Sequence, residues 1–171
     1  AGAKPRIETT SMTLHANNES LIIRNVEIHG KSNTADYLLN ENKTTNLHTV
    51  IIDNCNAHTF RGLIRMQNTA NATQIHLVQI NNSIVANIGD FGVVNGATRN
   101  APFRMEHVVI SNSTINGVNG DVVGIYNPGS SYVIENCTFY NAIRNARYLF
   151  NLDNNAANIP NELVVRNTIF G

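Results

Sequence analysis

The chain has 171 residues, no formal net charge and only 14% charged residues. That length suffices for one domain with a core, and the neutral balance excludes a global attraction to nucleic acid or to an anionic bilayer. No apolar run approaches the ~18 residues of a helical membrane span. Asparagine makes up about one residue in six, and its placement is regular.

Residues 1–19 read as an N-terminal arm or cap. The opening "AGAKPRIETT" has none of the features of a secretion signal, and "RIETTSMTLHA" (6–16) is suited to covering a first coil. From residue 20 onward one phrase returns: "LIIRNVEI" (21–28), "VIIDNCNA" (50–57), "VQINNSIV" (78–85), "VVISNSTI" (108–115), "YVIENCTFYN" (132–141) and "LVVRNTIF" (163–170). With Asn25, Asn54, Asn82, Asn112, Asn136 and Asn167 each counted as zero, the spacings are 29, 28, 30, 24 and 31. Position −2 holds Ile23, Ile52, Ile80, Ile110, Ile134 and Val165; position −4 holds Leu21, Val50, Val78, Val108, Tyr132 and Leu163. Position +3 is apolar throughout, and position +1 is small or β-branched. This is period-two patterning on both sides of a tight turn.

A third apolar stretch comes after each turn: "YLLN" (37–40), "LIRMQ" (63–67), "FGVVN" (91–95), "VGIYN" (123–127) and "YLFN" (148–151). Three short strands in a repeat of about 28 residues predict an all-β solenoid, a right-handed parallel β-helix of about six coils over residues 20–171. A leucine-rich repeat places its asparagine as L-x-L-x-x-N, whereas the spacing here is h-x-h-x-N. A left-handed β-helix is built from hexapeptides. Asparagine tolerates the left-handed backbone region that a sharp turn requires. Its amide both donates and accepts, so six stacked amides are expected to hydrogen-bond along the axis, pointing inward.

The same frame sorts the surface. Position −1 reads Arg24, Asp53, Asn81, Ser111, Glu135 and Arg166, which predicts the ion pairs Arg24–Asp53 and Glu135–Arg166 between neighbouring coils. Position −3 should also face out, yet reads Ile22, Ile51, Gln79, Val109, Val133 and Val164. An apolar outer stripe needs cover, expected from loops or the N-terminal arm, with a partner domain or subunit as the alternative. Cys55 and Cys137 lie three repeats apart, too far to bond, and read as small buried side chains. Asn-x-Ser/Thr tripeptides at Asn18, Asn42, Asn71, Asn81, Asn112 and Asn136 are of the number chance supplies. The inward amides expected at Asn112 and Asn136 argue against glycosylation there.

Loops on one side of a solenoid usually carry function. Arg99 and Arg104 lie in or beside the loop 95–107, while Arg61, Arg65, Arg144 and Arg147 flank the third strands. Arginine forks suit the carboxylates of acidic sugars, and Tyr126 or Tyr148 suits stacking on a sugar ring. Solvated arginines and core tyrosines are the plainer alternative. His48 and His76 share position −6 with Glu19 and Glu106, and His29 and His58 share position +4, but no local ligand triplet marks a metal site. Asp153, Asn154 and Asn155 offer oxygens of the kind calcium takes, although a polar loop explains them and no cofactor is expected.

The phrases "CTFYNAIRNARYLFNLDN" (137–154) and "LVVRNTIFG" (163–171), with the asparagine ladder, resemble the pectin-lyase-like superfamily of right-handed β-helices. They are similar in particular to Bacteroidetes surface pectate-lyase-like domains of unknown function, with the rhythm of chondroitinase-B-type lyases. The resemblance implies an extracellular or cell-surface location and a polysaccharide partner. Lyases of that superfamily need a lysine or arginine base and a carboxylate neutraliser. Here the only lysines, Lys4, Lys31 and Lys43, fall in the arm or in loops. Family hydrolases need clustered aspartates, but Asp36, Asp53, Asp90, Asp121 and Asp153 are scattered. The sequence also stops within a coil, which points to a fragment of a larger protein or to a completing domain or partner. Three readings stay open: a non-catalytic domain that binds polysaccharide, a polysaccharide lyase or part of one acting on uronate-containing glycans, and an adhesin-like solenoid that binds a protein.

Overall fold

A computed structural model describes residues 2–14, 17–42, 45–67, 73–96, 103–143, 146–152 and 159–171. The candidate residues Arg99, Arg144, Lys43, Asp153, Asn154 and Asn155, and the tripeptide at Asn71, lie outside the described residues.

The strands are β1 (Arg6–Glu8), β2 (Asn17–Arg24), β3 (Glu27–Glu41), β4 (Asn46–Asp53), β5 (Asn56–Met66), β6 (Thr73–Asn81), β7 (Ile84–Gly96) and β8 (Phe103–Ser111). They continue as β9 (Thr114–Val118), β10 (Val123–Ile125), β11 (Pro128–Glu135), β12 (Thr138–Tyr140), β13 (Phe150–Leu152), β14 (Glu162–Arg166) and β15 (Ile169–Phe170). All pairings among the described residues are parallel. The strands before the asparagines form one wall in the order β14-β11-β8-β6-β4-β2, and those after them form a second, β1-β3-β5-β7-β9-β12-β15. The ends of β3, β5 and β7 bend into a third wall, which β10 and β13 continue. The chain is a parallel β-helix. Five coils carry a strand in the third wall and the last contributes only β14 and β15, so about five turns are complete rather than six. Among the described residues, no helix is long and apolar enough to cross a membrane.

The register is the one the repeat predicts. Ile23, Ile52, Ile80, Ile110, Ile134 and Val165 stack in one row, and the middle four are buried. Because each inward position abuts its own copy above and below, the core is a set of columns. Tyr132 interrupts the column at −4 with a ring that is fully buried. Its hydroxyl donates to the Met105 carbonyl at 3.1 Å, and burial pushes its pKa up to about 12.

All six asparagines have left-handed backbone, with φ between 49° and 60°. Their amides, however, lie exposed at the corner instead of pointing inward. Asn54 donates to Asn25 at 2.8 Å and Asn167 to Asn136 at 3.1 Å, whereas Asn82 and Asn112 donate to the −1 side chains Asp53 and Asn81. A left-handed residue at an outward corner projects its Cβ away from the core, so Asn112 and Asn136 do not have the inward amides that would argue against glycosylation there.

The inner ladder belongs to position +1. Ser83 Oγ donates to the Asn81 carbonyl and accepts from the Cys55 amide, and Ser113 Oγ does the same for Ser111 and Ser83. Cys137 Sγ donates to the Glu135 carbonyl, and Thr168 Oγ1 to that of Arg166. Both cysteines are free and buried. From Cys55 onward the +1 side chains thereby satisfy backbone groups that the strand ladders miss.

A second left-handed column stands at +5, where Thr59, Asn87, Gly117 and Asn141 have φ of 66°, 54°, 63° and 51°. Its mixed chemistry hides it in the sequence. The arm supplies β1 to the second wall, and Met12 pairs with Leu39 on the third. It therefore does not cover the apolar −3 row of the first wall.

Two substitutions separate the roles of the turn. Asn112→Ala forces an alanine into the left-handed region and should cost about 1–2 kcal/mol, whereas Asn112→Gly should cost far less, as read by chemical denaturation. Ser83→Ala strands the buried Cys55 amide and should cost about 1–3 kcal/mol. An Asn112→Gly variant as destabilised as Asn112→Ala would instead make the amide, not the backbone, the stabilising part.

Candidate functional site

In the third wall Leu39, Ile64, Val94 and Val123 are buried in the core, as are Leu38, Leu63, Val93 and Val122 before them. The residues that follow, Asn40, Arg65, Asn95, Gly124 and Asn151, align in one row across five coils, and the four with polar side chains are half-buried. Three side-chain atoms in this row are buried without a hydrogen-bond partner: Asn40 Oδ1, Arg65 Nε and Asn95 Oδ1. A buried polar atom left unpaired is costly. Here a donor sits between two acceptors, on adjacent strands about 4.8 Å apart.

Beside the row stands an aromatic pair. Tyr37 and Phe91 meet edge to face with centroids 5.8 Å apart. They fit because Gly62 lies beneath them: a Cβ there would come within 2.9 Å of Phe91 Cβ and 3.2 Å of Tyr37 Cδ1. The Arg65 guanidinium lies 4.0 Å from the Phe91 centroid and 5.0 Å from that of Tyr37, and its Nη1 donates to Tyr37 Oη at 3.0 Å. Arg61 lies 4.5 Å from the Phe91 centroid. Its Nε and Nη2 grip Asp90 at 2.8 and 3.0 Å.

These contacts set the electrostatics. The hydrogen bond from Arg61 holds the Asp90 carboxyl below the usual carboxylate range and raises Arg61 in return. Burial lowers Arg65, although its contacts with Tyr37 oppose the shift. Arg147 is exposed and adds to the positive field at Asp90. Further along the row, Asp121 accepts from the Tyr148 amide and from Asn151 Nδ2. Gly124 leaves the position between Asn95 and Asn151 without a side chain. Tyr126 is half-buried just after β10, and the Tyr148 side chain is exposed.

Of the sequence candidates, Arg61 and Arg65 come together. Arg104 does not join them: it stands on β8 in the first wall, paired with Glu106 at 2.6 Å. The sequence reading missed Tyr37 and Phe91, which look like strand core, and Asn40, Asn95 and Asn151. A signal for the asparagines was present, because the third-strand phrases "YLLN", "FGVVN" and "YLFN" each end in one.

Among the described residues, other acid–base candidates are engaged in structural contacts. Asp36 caps the amides of Lys31 and Ser32. Lys4 binds Asn54, and Lys31 pairs with Glu8. Histidines do stack, His29 on His58 and His48 on His76, with His107 next to His76. Among the described residues, no group of three or more His, Cys, Asp or Glu is placed to hold a metal ion. Both predicted ion pairs at −1 form, Arg24–Asp53 at 3.5 Å and Arg166–Glu135 at 2.5 Å. Comparison with protein-family models, curated proteins and solved structures finds no match to this chain.

The Asp90 pair has a pH signature. Its carboxyl pKa is lowered by folding, so its stabilising effect is complete above the ordinary carboxylate value of about 3.9 and fades as pH falls through the lowered one. Asp90→Asn should lower the melting temperature at neutral pH, and the gap to the unsubstituted chain should narrow as the pH falls below the ordinary carboxylate range. A gap unchanged across that range would assign the loss to packing instead.

Proposed function

We propose that this chain is a non-catalytic domain of the pectin-lyase-like β-helix type that binds polysaccharide on the outer face of its third wall. The observation that carries the reading is the row Asn40–Arg65–Asn95, in which a buried donor and two buried acceptors lack partners. Sugar hydroxyls donate and accept at once, and a glycan lying along the solenoid axis would cross these three side chains coil by coil and bond their unpaired atoms as the side chains turn outward. The gap at Gly124 extends the track, and Tyr148, whose side chain is exposed, is tied through its amide to Asp121, the partner of Asn151. Arg61 is neutralised by Asp90, so hydroxyls weigh more than carboxylates in recognition. The engagement of Asp36, Asp90, Asp121, Lys4 and Lys31 in structural contacts supports binding without cleavage. A site outside the cell or at its surface rests on the resemblance alone.

Affinity electrophoresis against neutral and acidic polysaccharides tests this. Retardation is expected, with no ultraviolet absorbance from unsaturated uronate products. Arg65→Ala and Asn95→Ala should each keep the fold. Arg65→Ala should weaken retention about tenfold or more, the effect of one lost charge-assisted hydrogen bond. Absorbance that grows with time would make the protein a lyase and overturn the non-catalytic reading. Retardation indifferent to both substitutions would remove the binding track from the third wall.

A further inference from the structure

The outer face of the first wall carries three rows in strict register. Position −5 reads Ser20, Thr49, Leu77, His107, Ser131, Glu162. Position −3 reads Ile22, Ile51, Gln79, Val109, Val133, Val164, and position −1 reads Arg24, Asp53, Asn81, Ser111, Glu135, Arg166. The middle row is apolar except for Gln79. Ile22 is 49% exposed, the other five are half-buried, and among the described residues no strand lies over them. The arm, one of the two covers expected within the chain, is committed to the other two walls.

We propose that this face pairs with the same face of a second copy, about a two-fold axis parallel to the solenoid axis. That operation keeps coil order and reverses strand direction. Each −3 residue then meets its own copy, and each −1 residue meets the −5 residue of the same coil. Arg166 faces Glu162, Arg24 faces Ser20, Asp53 faces Thr49, Glu135 faces Ser131 and Ser111 faces His107. Every charged −1 side chain finds an opposite charge or a hydroxyl. The other face-to-face two-fold, with the axis along the strands, reverses coil order and sets Arg24 against Arg166 and Asp53 against Glu135. Like charges disfavour it.

Gln79 supports the same arrangement. Its side chain is half-buried, and it interrupts the apolar row at a middle coil. Facing its own copy across sheets packed about 10 Å apart, one primary amide donates to the other and accepts in return. A polar group that would be a liability under a different cover becomes a marker of register. The face is small. Six strands at about 4.8 Å and five residues at about 3.3 Å give roughly 500 Å² per copy, so the total is at the low end of specific interfaces. The pair is therefore of the weak, exchanging kind that small interfaces form. It leaves the third wall free, so the dimer is independent of the glycan-binding reading.

Sedimentation equilibrium and single-site crosslinking test the proposal. The chain should be dimeric when concentrated and dissociate on dilution. Val109→Lys, which would oppose two ammonium groups, should be monomeric at every concentration, with the melting temperature that the unsubstituted chain shows when dilute. Ile22→Cys and Val164→Cys should each crosslink to themselves with a short bismaleimide, since the native Cys55 and Cys137 are buried. Crosslinking only in a mixture of the two variants would overturn the axis proposed here. A monomer at high concentration, or a dimer indifferent to Val109→Lys, would overturn the interface itself.

Discussion

The fold depends on how the asparagine turn disposes of its backbone amides. In the coil of Asn54, the Asn54 amide donates to the Asn81 carbonyl of the next coil, the Cys55 amide to Ser83 Oγ of that coil, and the Asn56 amide back to the Val26 carbonyl of the coil before. The coil of Asn82 repeats all three bonds, through Ser111, Ser113 and Cys55. A tight corner in a strand ordinarily leaves such groups to water. Here they are spent on neighbouring coils, so the corner is part of the sheet, and a slip of one residue would break three bonds per turn as well as turn out the isoleucine column.

Once register is locked at the corner, everything downstream becomes a column. That explains why single coils are unremarkable while rows are informative. Arg24 and Asp53 are distant in sequence yet adjacent in one row, as are Glu135 and Arg166. The polar track of the third wall has the same origin: Asn40, Arg65 and Asn95 are neighbours only because three coils superpose.

Much of this was legible. The zero frame set by the asparagines predicts the register of the first wall row by row, because alternation and a recurrent turn residue are both one-dimensional signals. The direction of the asparagine amides was not legible. Left-handed φ is a backbone property that composition reveals; whether the side chain then faces core or solvent depends on the sense of the corner. The buried polar ladder at +1 was disguised for a related reason, since Ser83, Ser113 and Cys55 read as merely small. The +5 column was missed because Thr59, Asn87, Gly117 and Asn141 share a conformation and no chemistry. At the candidate site, Arg61 and Arg65 stood out as charges beside a strand, whereas Tyr37, only 6% exposed, and Phe91 passed for core. Their outward placement over Gly62 is a matter of packing that period-two patterning does not encode.

The walls differ in what their surfaces ask for. In the first wall, the polar rows at −1 and −5 are largely satisfied within the chain or open to water, and the unmet need is apolar. In the third, the apolar needs are met by Phe91 beneath two guanidinium groups, and the unmet need is for hydrogen bonds at Asn40, Arg65 and Asn95. A flat apolar row calls for an occupant that excludes water, which a second protein surface supplies. A row of buried donors and acceptors calls for an occupant that brings its own hydroxyls. Because each wall is built from different positions of the same repeat, substitutions on one leave the register, and therefore the other, in place.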